Sequence, residues 1–89
     1  MFDFLKRKKE IYLVLEFRND DTFSVSAHKT MKNAKACMAA KVILTHDDNL
    51  CNGKYDSEIK RVAEDIALVK WDGGSQNYTY QIVKSPLFR

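Results

Sequence analysis

Two adjacent glycines set the strongest constraint on this chain: Asp72-Gly73-Gly74-Ser75 separates the run Ile66-Ala67-Leu68-Val69-Lys70-Trp71 from the run Tyr78 to Lys84. Glycine adopts the positive φ that tight hairpin turns demand, and both flanking runs are rich in β-branched and aromatic residues. The pattern predicts an antiparallel hairpin that ends at Pro86, whose missing N–H cannot extend a ladder. A second hairpin is predicted near the start. Ile11 to Phe17 reads Ile-Tyr-Leu-Val-Leu-Glu-Phe, Thr22 to His28 alternates polar and apolar, and Arg18-Asn19-Asp20-Asp21 supplies turn formers between them. In the second strand Phe23, Val25 and Ala27 are expected on a buried face, with Thr22, Ser24, Ser26 and His28 on a wet one.

From Lys29 or Thr30 to about Leu44 the chain contains no Gly or Pro and is rich in Ala, Lys and Met, which predicts a helix with Thr30 as its N-cap. Met31, Ala34, Met38 and Val42 form one apolar stripe. Ala36, Ala40 and Ile43, with Cys37 and Leu44 beside them, form a second. A helix apolar on two sides needs two neighbours: the sheet, and then a second helix, the N-terminal segment or a partner protein. Thr45 to Tyr55 reads as a loop, because His46-Asp47-Asp48-Asn49 and Asn52-Gly53 are turn residues. Asp56 or Ser57 then caps a second helix through Ile59, Val62 and Ala63 to near Asp65. Continuing that helix through Ile66 to Trp71, with Gly73 as its stop, is the weaker choice beside a Gly-Gly hairpin.

The fold class expected is α+β, in the order ββααββ: a four-stranded, mostly antiparallel sheet with helices packed on one face. One domain is expected over residues 10–85, preceded by a short basic segment, 1–9, and followed by a C-terminal tail, 86–89. A chain of 89 residues supports a single core.

The net charge of +3 is concentrated at the start: residues 1–9 hold four bases and one acid, and the remainder holds eleven of each. A neutral body lacks the broad positive field of most nucleic-acid binders. The start, Met-Phe-Asp-Phe-Leu followed at once by Lys6, Arg7, Lys8 and Lys9, is unlike a secretory leader, and no apolar run reaches the ~20 residues of a membrane span. A cytoplasmic location is expected. Cys37 and Cys51, fourteen positions apart, form neither a zinc pattern nor a disulfide framework.

Tests for specific chemistry return little. A calcium loop starting at Asp47 places Cys51 fifth and Asn52 where the glycine belongs, and one starting at Asp48 puts Leu50 third and Ile59 twelfth. His28, His46 and Cys51 lack the close pairs of a zinc site. Asp72-Gly73-Gly74-Ser75 lacks the Lys-Ser/Thr of a phosphate loop and precedes a strand. Ser24, Ser26 and His28 share a strand face, but residues two apart are spaced about 7 Å, which argues against a nucleophile-base bond. No catalytic residue, metal or cofactor is assigned.

These exclusions favour a small non-catalytic module that binds another protein, an adaptor or inhibitor of the kind found among bacterial and phage accessory proteins. Its expected surface is Ala36, Ala40 and Ile43 with Lys32 and Lys35 beside them, and a homo-oligomer is one assembly such a face permits. The first alternative is a small nucleic-acid binder using Lys6, Arg7, Lys8 and Lys9, the helix lysines, and Tyr12, Trp71, Tyr78 and Tyr80 as stacking platforms if exposed. The second is a compact metal-independent ribonuclease using His28 and His46 as acid and base, with Lys29 or Arg61 beside the developing charge.

Overall fold

The computed structural model describes residues 9–19 and 21–87. Strands β1 (Lys9–Arg18) and β2 (Asp21–His28) lead into helix α1 (Met31–Cys51), and β3 (Glu58–Ala63), β4 (Ile66–Trp71) and β5 (Gln76–Leu87) follow. The five strands form one sheet in the order β2-β1-β5-β4-β3, with every neighbouring pair antiparallel. The first and last long strands meet at the centre, Val14 opposite Ile82 and Glu16 opposite Tyr80. The α+β class is therefore as expected. The count differs: among the described residues, five strands and one helix replace four strands and two helices.

Both glycine-poor and glycine-rich predictions hold where turn chemistry speaks. Thr30 is the N-cap of α1, its side-chain oxygen accepting from the Asn33 N–H at 3.1 Å. Asp72, Gly73 and Gly74 all take positive φ, which closes the β4–β5 hairpin, and Asn19 at φ 51 stands in the β1–β2 turn.

The core lies between α1 and one face of the sheet. Ala34, Met38 and Val42 of the helix pack on Val14, Ala67, Val69, Trp71, Tyr80 and Ile82. Each large apolar side chain removed from water there contributes about 1.5–3 kcal/mol. At the centre the Tyr80 hydroxyl meets Thr45 Oγ1 at 2.6 Å, and burial pushes the Tyr80 pKa up to about 12. Glu16, also buried, is held by Arg18 Nε at 2.8 Å, Ser24 Oγ at 3.1 Å and Lys41 Nζ at 3.7 Å.

Three expectations are corrected. The helix does not stop at Leu44. It runs to Cys51, because Asn49 is buried and donates to Ser57 Oγ at 3.1 Å, while the stop is Asn52 followed by Gly53 at φ +82. Residues 58–63 are an edge strand and not a second helix: Ile59 pairs with Val69 and Lys60 with Leu68, and the helical spacing of Ile59, Val62 and Ala63 is incidental to a bulge at Val62. Pro86 does not end the last ladder, since β5 continues to Leu87 with Pro86 opposite Glu10. Among the described residues no helix is long and apolar enough to cross a membrane. The basic residues Lys6, Arg7 and Lys8 lie outside the described residues.

Candidate protein-binding faces

Helix α1 lies on the sheet along one stripe only. Met31, Ala34, Met38, Val42, Thr45 and Asn49 follow each other at three- and four-residue spacing and turn toward the sheet, as a 3.6-residue period requires. The second stripe is left outside. Ala36 and Ala40 are exposed, Ile43 is 53% exposed and Leu44 67% exposed. Since the expected second helix is a strand, no described element stands over this stripe. Lys32 beside it is exposed. Lys35 is half-buried and engaged: its ammonium bonds Glu64 in the β3–β4 turn and holds that carboxyl below the usual carboxylate range. Lys41 is turned down to Glu16.

The helix also carries its charges against its own dipole. It has no acid in its first turn and no base in its last, whereas Lys29 and Lys32 stand at the positive end and exposed Asp47 and Asp48 at the negative end. Each such placement costs the isolated helix a few tenths of a kcal/mol.

The sheet has a second face, and its polarity runs opposite to the expected one. On β1, the residues toward α1 are Tyr12, Val14, Glu16 and Arg18; those away from it are Ile11, Leu13, Leu15 and Phe17. On β2, Ser24, Ser26 and His28 lie on the helix side, while Val25 and Ala27 on the far side are exposed. The expectation of a buried Phe23-Val25-Ala27 face is thereby reversed. Phe23 departs further, because a bulge opposite Glu16 and Phe17 leaves it 56% exposed, with its ring 3.3 Å from the Arg18 guanidinium carbon.

The two histidines do not converge. His28 precedes α1, and His46 lies about 15 residues, or roughly 23 Å of helix, beyond its first residue Met31. His28 Nε2 does meet Ser26 Oγ, at 3.0 Å, with Cys37 Sγ 3.7 Å from the same oxygen. The 7 Å backbone spacing was thus a poor guide, since long side chains lean along a strand. Yet among the described residues no carboxylate bonds His28 to orient it, so the pair lacks the third member of a hydrolytic triad. His46 Nδ1 bonds Ser57 Oγ at 2.9 Å and helps seat the loop after α1. Among the described residues no group of three His, Cys, Asp or Glu is placed to hold a metal ion. Cys37 and Cys51 are both free thiols.

The four aromatic residues expected as stacking platforms, Tyr12, Trp71, Tyr78 and Tyr80, lie on the helix side of the sheet. Tyr80 is fully buried, Trp71 nearly so, and Trp71 packs edge-to-face on Tyr78 with ring centres 5.0 Å apart. Tyr12 rests against the core. A surface depression of about 520 Å³ is lined, among the described residues, by Gly53, Lys54, Asp56, Trp71, Asp72 and Gln76, with no histidine or cysteine among them. In its wall the Gly73 N–H donates to Asp56 Oδ2 at 2.9 Å, and this bond, with one from the Asp72 backbone, holds the Asp56 carboxyl below its usual pKa.

Reasoning from sequence missed the open sheet face. One signal was available: Ile11 to Leu15 is an unbroken apolar run, so apolar side chains fall on both sides of β1 over this stretch, which a strand covered by helix on a single face does not need.

A scan of protein-family models found no match to this chain, and searches of curated proteins and of solved structures found none either.

Proposed function

We propose that this chain is a small non-catalytic protein-binding module, an adaptor or inhibitor working in the cytoplasm, that engages its partner through the outward face of α1. The observation that carries the reading is the exposure of Ala36, Ala40, Ile43 and Leu44 on a helix already supported by the sheet on its opposite side. Small side chains at Ala36 and Ala40 let another backbone approach closely, and Ile43 and Leu44 supply the apolar anchors. The charge order favours a partner of complementary charge. A segment that is acidic beside Lys29 and Lys32 and basic beside Asp47 and Asp48, such as a helix laid antiparallel to α1, would offset the unfavourable placement of those charges.

The test is affinity capture from extract with and without nuclease treatment, using the wild-type chain and Ala40→Glu. Glutamate is a good helix former at an exposed site, so circular dichroism and melting should be unchanged. Loss of the captured protein with the fold intact supports the reading. Capture that persists in Ala40→Glu, or that disappears with nuclease alone, overturns it.

A further inference from the structure

We propose that the sheet face turned away from α1 is a self-association surface, on which two copies of this chain stack sheet against sheet. Cross-strand neighbours define the face row by row. Val25, Leu15, Gln81 and Ile66 form one row; Ala27, Leu13 and Val83 the next; Phe17 lies between Thr22 and Thr79, with Leu68 beyond. On β2, β1 and β5 these positions carry no charge. Among the residues whose side chains are described, the charges on this face stand at the far flank, where Lys60, Lys70 and Glu58 lie on β3 and β4.

The half of the sheet formed by β1 and β2 sends its larger apolar side chains to this face and its polar ones toward the helix. None of the face residues belongs to the buried cluster beneath α1. The central ones are half-buried, while Val25 at the margin is 54% exposed. Among the described residues no element packs over them.

Size and chemistry together select a second copy as the occupant. The uncharged rows reach across four strands spaced ~4.8 Å apart and cover four alternate residues of β1, a face of about 19 by 25 Å, or roughly 480 Å² before side-chain relief is counted. With that relief it approaches the ~600 Å² per partner of the smaller specific interfaces. An uncharged centre does not repel its own image, so a two-fold related copy fits without rearrangement. Stacking β1 on β1 of the second copy, about 10 Å apart, sets Val25 and Ala27 near Val83 of that copy and completes a sandwich core. The helices lie on the two outer sides of such a dimer, so each keeps its outward stripe free.

Sedimentation of the full chain from low micromolar to near-millimolar concentration tests this. A species of twice the 10.3 kDa chain mass is expected to grow with concentration. Val25→Lys and Gln81→Arg change a margin residue and an already polar one, so both should fold, and each should weaken association at least about tenfold by placing a charge in an apolar contact. A monomer at every concentration overturns the proposal and leaves the face to the chain's first residues or to a different protein. So does a dimer that either variant leaves at full strength, or one that Ala40→Glu dissociates. Because sedimentation reads the sheet face and capture reads the helix face, failure of one reading is separable from failure of the other.

Discussion

Leu13 and Val14 are neighbours on β1 and face opposite sides of the sheet: Val14 is fully buried beneath α1, and Leu13 lies on the uncovered face between Ala27 and Val83. The same strand thus serves a finished core on one side and an unfinished one on the other. That asymmetry separates what stabilises this chain from what it offers to others.

On the finished side, Met38→Ala removes a fully buried side chain from the centre of the helix-sheet contact and should cost about 2–5 kcal/mol. Urea denaturation checks this. On the outer side of the same helix, Ala36→Ser should stay within about 0.5 kcal/mol of wild type.

Thr45 is the hydrogen-bond partner of the buried Tyr80 hydroxyl. Thr45→Val leaves that hydroxyl unpaired and should cost about 1–3 kcal/mol, more than Tyr80→Phe, which removes the hydroxyl itself. The pKa of Tyr80, pushed up to about 12, adds an alkaline prediction. The unfolded chain loses this proton near pH 10 and the folded chain only near 12, so stability should fall as pH rises across that window. Tyr80→Phe should flatten the decline, as read by denaturation at stepped pH.

Asp56 ties the loop after α1 to the β4–β5 turn through the Gly73 N–H. Its folded pKa is lowered, so its contribution is present above the unfolded carboxyl pKa and is lost as pH falls through the folded value. Asp56→Asn should therefore lower stability at neutral pH, where the carboxylate is charged, and leave the most acid region least affected, which flattens part of the acid limb. An unchanged acid limb would contradict the assigned bond.

Removing the N-cap by Thr30→Ala should cost about 1 kcal/mol, because the Asn33 N–H loses its acceptor. Differential scanning calorimetry should show a lower melting temperature with no change in oligomeric state.

The hairpins and the start of α1 were legible because their signals are local. A positive-φ turn needs Asp-Gly-Gly, and a helix N-terminus needs an acceptor such as Thr30. The end of α1 was not legible, since His46, Asp47, Asp48 and Asn49 are turn formers by composition. What keeps them helical is tertiary: the bonds of His46 and Asn49 to Ser57. Strand β3 was misread because every one of its residues is exposed, so no alternation of burial marks it, and chance spacing of Ile59, Val62 and Ala63 imitated a helix. Of the candidate surface, the Ala36-Ala40-Ile43 stripe was visible in the helical period. The sheet face was hidden behind the assumption that serines and a histidine on β2 must face water.

The reading of α1 as a recognition helix is tested most directly by methyl NMR of the labelled chain, titrated with the protein it captures. Signals of Ala36, Ala40, Ile43 and Leu44 should shift or broaden at substoichiometric partner, while those of Val14, Met38 and Ile82 keep their positions. Binding that leaves the outward helix signals untouched and perturbs only β3 or the β4–β5 turn would contradict it.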